Sequence, residues 1–309
     1  MSILNNQTVI DAARKVGFDL IGFSEFCMLA GEIENLKKWL QKDYHAGMKY
    51  MENNLDKKAD ISLILPEVKS VISLGINYYK DNKFSGLENK GKVSQYAWGK
   101  DYHYIIWEKL DKLIQNLKNI DSEFKAVSYV DTGPVMDKVW AVKSGLGWQG
   151  KNTNIISKEI GSWFFIANII CNSEFEYDIP AQDFCGTCTA CIDACPTNAI
   201  ISEYVLDANK CISYLTIENK GEIPAEFKGK FNNWVFGCDI CQDVCPWNIK
   251  FAVEIKSPDF SKILYKEINL NQIMTMTNSE FKEIFFESPI MRAKLKGLKR
   301  NAGFVLEKT

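Results

Sequence analysis

Cysteine is the residue type whose number and spacing most clearly indicate chemistry in this 309-residue chain. Eight of the ten cysteines lie between Cys185 and Cys245, as a Cys-x2-Cys-x2-Cys-x3-Cys-Pro run, a separate cysteine and a Cys-x2-Cys-x3-Cys-Pro run. In the bacterial ferredoxin pattern, three closely spaced thiolates bind one [4Fe-4S] cluster and the fourth binds the other cluster. This crossed arrangement predicts a first cluster on Cys185, Cys188, Cys191 and Cys245. It predicts a second cluster on Cys195, Cys211, Cys238 and Cys241.

Two other interpretations of these cysteines stay open, namely a pair of structural zinc sites or cysteines of an apolar core. The spacing favours clusters, because the run ending in Cys-Pro is typical of ferredoxins. A disulfide framework is not expected in a reducing cytosol. Cys27 and Cys171 lie in apolar surroundings and are predicted to be core residues. His45 and His103 are the only histidines, and we expect both to be structural.

A candidate reaction site lies in the first half of the chain. Asp131 ends a predicted strand in the turn Asp-Thr-Gly-Pro, where its carboxyl group either caps the turn or donates a proton if burial raises its pKa. Residues 145–150 match G-x-G-x-x-G, but they follow a predicted helix. A dinucleotide site needs this pattern after a strand and at the start of a helix, so we reject NAD binding. The glycines then predict a backbone that approaches something large, or a simple turn.

A basic segment near the end of the chain is a second candidate site. Residues 291–300, MRAKLKGLKR, contain five basic side chains and no acidic one. Ser288 and Pro289 just before them are typical of a helix start. The five side chains belong to Arg292, Lys294, Lys296, Lys299 and Arg300. They form either a phosphate-binding surface or an ordinary solvated helix face.

Three segments must position these residues. Residues 1–173 alternate helix and strand patterns and predict a mixed α/β domain, with strands at 18–23, 68–76, 124–130 and 163–171 and helices at 8–16, 101–119 and 135–144. Residues 174–250 predict a ferredoxin-like two-cluster domain, and residues 251–309 a short helical region. The predicted fold class is α+β.

Overall composition argues against a disordered chain and against a membrane-spanning one. The chain is 46% hydrophobic and 25% charged with a net charge of −2, which is ordinary for a globular protein. The longest uncharged stretch, residues 160–173, is shorter than the roughly 18 residues that a membrane helix needs. The first ten residues carry no basic side chain and no signal-like apolar block. We therefore expect a cytoplasmic protein with no membrane segment.

Two clusters transport electrons but carry out no substrate chemistry themselves. A bare ferredoxin would not need the large first segment or the last one, so the first segment is expected to hold the electron acceptor. An external low-potential donor is expected to supply the electrons.

The combination of motifs resembles the epoxyqueuosine reductase family. The resemblance rests on Asp131-Thr-Gly, the loop GLGWQGKN at 145–152, the two cysteine runs, CISYLTIE at 211–218, and Ser288-Pro289 with the basic segment behind it. These motifs occur in order from about residue 8 onward. The resemblance implies a cobalamin-dependent enzyme, related to reductive dehalogenases, that converts epoxyqueuosine to queuosine at the wobble position of tRNA.

The resemblance also implies roles for individual residues. Asp131 corresponds to the family's proton donor and lies at the cobalamin. Gly150, Lys151 and Asn152 of the glycine loop would help to hold cobalamin, and Ser213 would approach it from the cluster side. The basic segment would bind tRNA, and a HEAT-like helical region is expected there. Many members have a longer C-terminal repeat region, so we expect a reduced repeat with fewer tRNA contacts here.

Two further functions were weighed against this one. A cobalamin and iron–sulfur reductase of a small molecule, such as a dehalogenase, would use the same cofactors, but the basic segment favours a nucleic-acid substrate. A non-catalytic electron carrier would account for the clusters, but it would leave the first segment unexplained.

Overall fold

The computed structural model describes residues 4–81 and 83–307. Its α-helices are α1 Asn6–Val16, α2 Ala30–Gln41, α3 Leu55–Ala59, α4 Tyr102–Ile120, α5 Asp137–Lys143, α6 Ala190–Asp193, α7 Ile212–Ile217, α8 Ile240–Asp243, α9 Pro246–Phe251, α10 Leu270–Thr275, α11 Asn278–Ile284 and α12 Lys294–Leu306. Its strands are β1 Leu20–Glu25, β2 Ser70–Asn77, β3 Lys90–Val93, β4 Ala126–Tyr129, β5 Trp148–Gln149, β6 Ile155–Ile156, β7 Phe164–Cys171, β8 Ile200–Ser202, β9 Val205–Leu206, β10 Trp234–Phe236 and β11 Glu267–Asn269. No helix in these ranges is both long and apolar enough to cross a membrane.

An antiparallel sheet of order β1-β2-β7-β4 forms the centre of the first segment. Successive side chains of a strand point to opposite faces, and both faces of this sheet are covered. Ile72 and Leu74 of β2 pack in one core with α1 and α4, whereas Val71 packs in another core with Trp140 of α5. The four predicted strands and the mixed α/β character of this segment are confirmed.

Helix α4 follows directly from its sequence. The Asp101 side chain accepts a hydrogen bond from the His103 backbone N–H and caps the first turn. Apolar residues recur along the predicted helix at helical spacing, and this stripe is fully buried; it consists of Ile106, Leu110, Leu113 and Leu117. The start of α4 lies close to the turn after β4, so the capping residues of this helix reach the candidate reaction site.

A second sheet joins all three segments. Its middle strand β3 comes from the first segment, pairs in parallel with β10 of the second, and pairs antiparallel with β11 of the third. One apolar core likewise combines Trp98, Phe236 and Leu298 from the three segments. The boundaries predicted near residues 173 and 250 therefore do not separate independent cores.

The C-terminal segment is helical but begins differently from the prediction. Ser288 caps a turn as expected, and its hydroxyl accepts from the Ile290 N–H, yet the turn is a 3-10 helix at Pro289–Ala293. Helix α12 starts at Lys294, whose φ of 59° and ψ of 162° are unusual for a residue with a side chain. That this region is HEAT-like stays a prediction.

The contact between β1 and the end of α5 gives a testable prediction. A Cβ at Gly22 would overlap the backbone carbonyl of Ser144, which cannot move without shifting α5. We expect Gly22→Ala to lower the free energy of unfolding by about 1–3 kcal/mol, measured by denaturant titration. Gly31→Ala is the matched control, because a Cβ on this exposed residue of α2 meets nothing. Equal stability of the two variants would contradict the close packing.

Candidate iron–sulfur and reaction site

The structure brings the first predicted set of cysteines together. The Cys191 thiol lies among the other three members of its set, and its pKa is raised by burial and by Cys185, Cys245 and Cys188. The loop before α6 is tight, since the Cys188 N–H donates to the Cys185 carbonyl at 3.1 Å. Cys245 reaches this set from the far end of α8, as the crossed pattern requires.

The second predicted set lines one cavity of about 360 Å³ together with aromatic and polar side chains. Its members on the wall are Cys195, Cys211, Cys238 and Cys241. Burial raises the pKa of Cys211 and Cys241, and neighbouring thiols raise it further. A bound metal cluster would relieve this penalty, because it binds the thiolate form. The Cys195 sulfur already accepts a hydrogen bond from the Ala199 N–H at 3.2 Å.

None of the ten cysteines is in a disulfide. Cys171 is fully buried in the core on the α1 and α4 side of the main sheet, as predicted. Cys27 packs at the edge of the core around Trp140, also as predicted. No three His, Cys, Asp or Glu side chains within 4–81 and 83–307 converge on a single-ion site. A [4Fe-4S] cube is wider than one ion, so its four ligands need not converge on a point.

The glycine loop at 145–150 does not open a helix. It leaves α5 and enters the short hairpin of β5 and β6, as the rejection of NAD binding required. Gly147 must be glycine, because a Cβ there would overlap the carbonyl oxygen of Ile156. Gly150 packs against the Ile156 side chain.

Lys151 and Asn152, which follow these glycines, contact different cysteine sets. Lys151 is only 3% exposed, and its Nζ donates to the Gly186 carbonyl at 2.7 Å and pairs with Glu203 at 2.6 Å. This side chain therefore supports the loop between Cys185 and Cys188, and it is not among the residues that line the cavity. The expected contact between Lys151 and a cofactor in the cavity is corrected to a contact with the first cysteine set.

Asn152 and Ser213 do line the cavity, as expected for cofactor-binding residues. The amide of Asn152 donates to the Cys241 carbonyl at 3.2 Å, so it lies between the cavity and the second set. Lys138 is also on the wall; its Nζ donates to the Thr153 carbonyl at 2.9 Å, and burial lowers its pKa.

Asp131 lies in a turn beside the cavity. Its φ is +60°, in the left-handed region that aspartate enters more readily than most residues with a side chain. Its carboxylate accepts a hydrogen bond at 2.6 Å from the hydroxyl of Tyr102, which lines the cavity. Burial and the nearby Asp131 carboxylate raise the pKa of Tyr102 well above its usual range. The Asp131 side chain is 65% exposed and does not itself line the cavity, which it contacts through the Tyr102 hydroxyl.

Tyr102 and His103 are site residues that sequence reasoning missed. His103 Nδ1 lies 2.7 Å from Asp101, and its Nε2 lies 3.7 Å from Asp131. The expected hydrogen-bonded structural role suits His45, which pairs with Glu52 at 3.0 Å, and also His103, which pairs with Asp101 but in addition lies beside Asp131. The sequence signal that could have identified these two residues is the capped start of α4, which lies at the same edge of the sheet as the end of β4.

A buried polar chain lies behind the Asp131 turn. Asn168 donates to the Asp137 carboxylate at 2.7 Å and accepts from Ser73 at 2.6 Å. Burial raises the pKa of Asp137 to about 7. This chain fixes the start of α5 against the main sheet and thereby supports the adjacent turn.

The five basic residues of the last segment have different surroundings. The Arg300 guanidinium points inward. It donates to the backbone carbonyls of Leu215, Asn219 and Gly221 and to the Asn301 side chain, and these contacts use all five of its N–H donors. Arg300 is therefore corrected from a phosphate contact to a structural residue. Arg292 forms a two-point pair with Glu218, at 2.6 and 3.1 Å.

Lys294 and Lys296 are exposed, and Lys299 is half-buried. Lys220, which sequence analysis did not select, lies near Arg292 and Lys294; burial and then these cations lower its pKa.

The fold and the two thiol sets define an oxidoreductase with an iron–sulfur domain. The family profile described as a 4Fe-4S double cluster binding domain matches residues 184–248, and the profile described as epoxyqueuosine reductase QueG, DUF1730, matches residues 58–132. The chain belongs to the epoxyqueuosine reductase family. It is 48% identical to the epoxyqueuosine reductase of Leadbetterella byssophila over 96% of both chains. It is 44% identical to that of Cyclobacterium marinum, over 97% of this chain and 96% of the relative.

Solved structures agree with this assignment. An epoxyqueuosine reductase bound to an epoxyqueuosine-modified tRNA-Tyr stem loop superposes with a TM-score of 0.91 at 34% identity, covering 98% of this chain and 80% of that one. The Bacillus subtilis enzyme, in a form whose catalytic aspartate loop has swung out of the active site, gives 0.90 at 32% identity, covering 98% and 81%. A catabolic reductive dehalogenase shares only the fold, with a TM-score of 0.50 at 16% identity over 80% of this chain and 32% of that one.

The crossed ligand sets can be tested by iron analysis. We expect Cys211→Ser to reduce the iron content of anaerobically reconstituted protein from about eight atoms to about four, because one of two cubes loses a ligand. Cys27→Ser is the matched control and should retain about eight. An unchanged iron and sulfide content in the Cys211 variant, or zinc in place of iron in the parent, would contradict the cluster assignment.

Proposed function

We propose that this chain reduces epoxyqueuosine to queuosine at the wobble position of tRNA. The observation that carries the proposal is one cavity that joins the four thiols of the second cysteine set to Tyr102 and, through its hydrogen bond, to Asp131. An electron carrier alone would not need this cavity. The chain's similarity to named epoxyqueuosine reductases over almost its full length supports the substrate.

Cobalamin is the cofactor proposed for the cavity. The wall offers contacts to a molecule with both apolar and amide groups, since it contains aromatic side chains such as Tyr96 and Phe164 as well as Asn152, Ser213 and Lys138. When bound, cobalamin would supply a low-potential cobalt centre for electrons from the second cluster. The four cysteines on the same wall keep that transfer short. Electrons would enter through the first cluster from an external low-potential donor.

Asp131 is proposed as the proton donor. The overall change from epoxide to cyclopentene takes up two electrons and two protons and releases one water. Asp131 would give a proton to the departing oxygen, and Tyr102 would hold the carboxyl group in place from the cavity side. The His103 ring lies beside this carboxyl group, with Nε2 3.7 Å from Asp131, and would help to position it. Because its substrate is tRNA, the enzyme is proposed to act in the cytoplasm.

The tRNA is proposed to bind over the basic residues that remain free at the surface. Lys220, Lys294 and Lys296 are the best placed, because Arg300 is bound internally and Arg292 is paired with Glu218. Phosphates held by these side chains would position the anticodon loop while its modified base enters the cavity.

The proposed reaction is tested with protein loaded anaerobically with iron, sulfide and cobalamin. We expect the parent to convert epoxyqueuosine in tRNA with a low-potential reductant, and Asp131→Ala to be slower by about 10²- to 10⁴-fold because general acid catalysis is lost. Nucleoside analysis of the digested tRNA measures the product. The exposed Asp111→Asn on α4 is the control at parent rate. Parent rate in the Asp131 variant would refute the proton donor, and no conversion by loaded parent would refute the function.

The corrected role of Lys151 gives a separate prediction. We expect Lys151→Met to retain the parent's cobalamin content but to lower the reduction potential of the first cluster, because a buried positive charge beside that cluster is lost. Absorbance after removal of free cobalamin and a redox titration followed by electron paramagnetic resonance measure the two quantities. Lys151→Arg keeps the charge and should stay near the parent. Loss of cobalamin with unchanged potentials would instead support a direct cobalamin contact.

A further inference from the structure

A series of aromatic rings leads from the cavity onto the protein surface along the first turns of α4. Tyr102 lines the cavity, and the His103 ring stacks on it with centroids 4.1 Å apart. Trp107, one turn further on, is 5.5 Å from His103, and Tyr104 meets Trp107 edge-on at 6.1 Å. The series therefore starts at the Asp131 site and ends in solvent.

The outer two rings of this series have no role in the core. Tyr104 is 50% exposed and Trp107 is 41% exposed, and Trp107 is the one tryptophan of the described residues in the exposed class. The buried contact of α4 is already supplied by Ile106, Leu110, Leu113 and Leu117. Neither Tyr104 nor Trp107 belongs to an apolar core of the described residues. An exposed aromatic pair beside an active site indicates a binding surface.

Charges of both signs lie around these two rings, since Glu108 and Asp111 are exposed near them on α4 in addition to the cations described next. The ammonium of Lys100 lies 5.9 Å from the Tyr104 ring centroid and also pairs with Glu287. Arg292 is close enough to Asp131 to interact with it electrostatically, and Lys294 lies near Arg292 through their shared neighbour Lys220. The exposed aromatic faces rather than the local charge therefore point to unpaired nucleotides, whose bases stack on such rings.

We propose that Tyr104 and Trp107 form a stacking surface for the anticodon-loop bases that adjoin the base in the cavity. This inference rests on the proposed function, because it takes tRNA as the substrate. A base that enters the cavity past Tyr102 remains covalently joined to its neighbours, so these neighbours must lie on the cavity rim. On the α4 side, the rings that follow the cavity-lining Tyr102 are His103, then Trp107 and Tyr104.

The stacking surface would add binding free energy that does not weaken with salt, which the basic residues cannot supply. Phosphate contacts weaken steeply with salt, whereas stacking on neutral rings does not release counterions. Base stacking on one aromatic ring changes affinity by about tenfold. The position of the base relative to Asp131 would then depend on two rings built into a long, buried helix rather than on flexible lysines alone.

The test is a thermodynamic cycle between a ring and a base. Binding of an unmodified anticodon stem loop is measured by fluorescence anisotropy, with parent and Trp107→Ala, using either an intact loop or a loop with abasic nucleotides on both sides of the wobble position. We expect Trp107→Ala to weaken binding of the intact loop about tenfold, and to have little effect on the abasic loop, where no base is left to stack. The salt dependence of binding should be the same for parent and variant.

Two matched variants separate stacking from disturbance of the fold. Trp107→Phe keeps an aromatic face and should bind within about threefold of the parent. Ile120→Ala removes an exposed apolar side chain from the other end of α4 and should bind like the parent. Equal losses for the intact and the abasic loop in the Trp107→Ala protein, or no loss for either, would overturn the proposal. Since the loop is unmodified and no turnover is measured, this result is independent of whether the reductase reaction occurs.

Discussion

The crossed sharing of cysteines is the constraint on which the rest of the structure depends. The first set takes three thiols from the first run and its fourth, Cys245, from the second run. The second set takes Cys238 and Cys241 from the second run, the separate Cys211, and Cys195 from the first run, so Cys195 and Cys245 must cross over within the insert, residues 174–250. The short helices α6 and α8 that precede them have to lie side by side for this crossover. Since four-residue helices have little stability of their own, their position is fixed by the clusters and by the surrounding protein.

The surrounding protein holds the insert by buried polar contacts. Asn248, just after the second run, accepts from the Ser162 N–H at 2.6 Å and donates to the Ser162 hydroxyl at 2.9 Å. Asp239, between two cysteines of the second set, accepts from the Ser94 hydroxyl and, at 2.7 Å, from the Gln95 N–H. Because unpaired buried polar groups are costly, these contacts permit only one orientation of the insert. The same orientation sets the second cysteine set against the cavity.

Strand β3 extends this constraint to the C-terminal segment. It lies between β10 and β11, so the first segment, the insert and the C-terminal segment share one sheet and one core. The Asp131 turn, the cluster thiols and the basic surface are thereby held in a fixed relation. An enzyme that must admit one base of a large RNA and deliver electrons to it requires such a relation.

Local patterns in the sequence were enough to predict the cluster role of the eight cysteines, the Asp131 turn, the main strands and helix α4. Each of these depends mainly on residues close together in the chain. Tertiary structure alone decided the direction of long side chains and the partners of distant segments. Lys151 turns to the first cluster, and Arg300 turns inward to carbonyls of the α7 region. His103 meets Asp131 across 28 positions. No local period encodes these contacts, since they arise where separately formed elements pack and leave buried donors and acceptors to be satisfied.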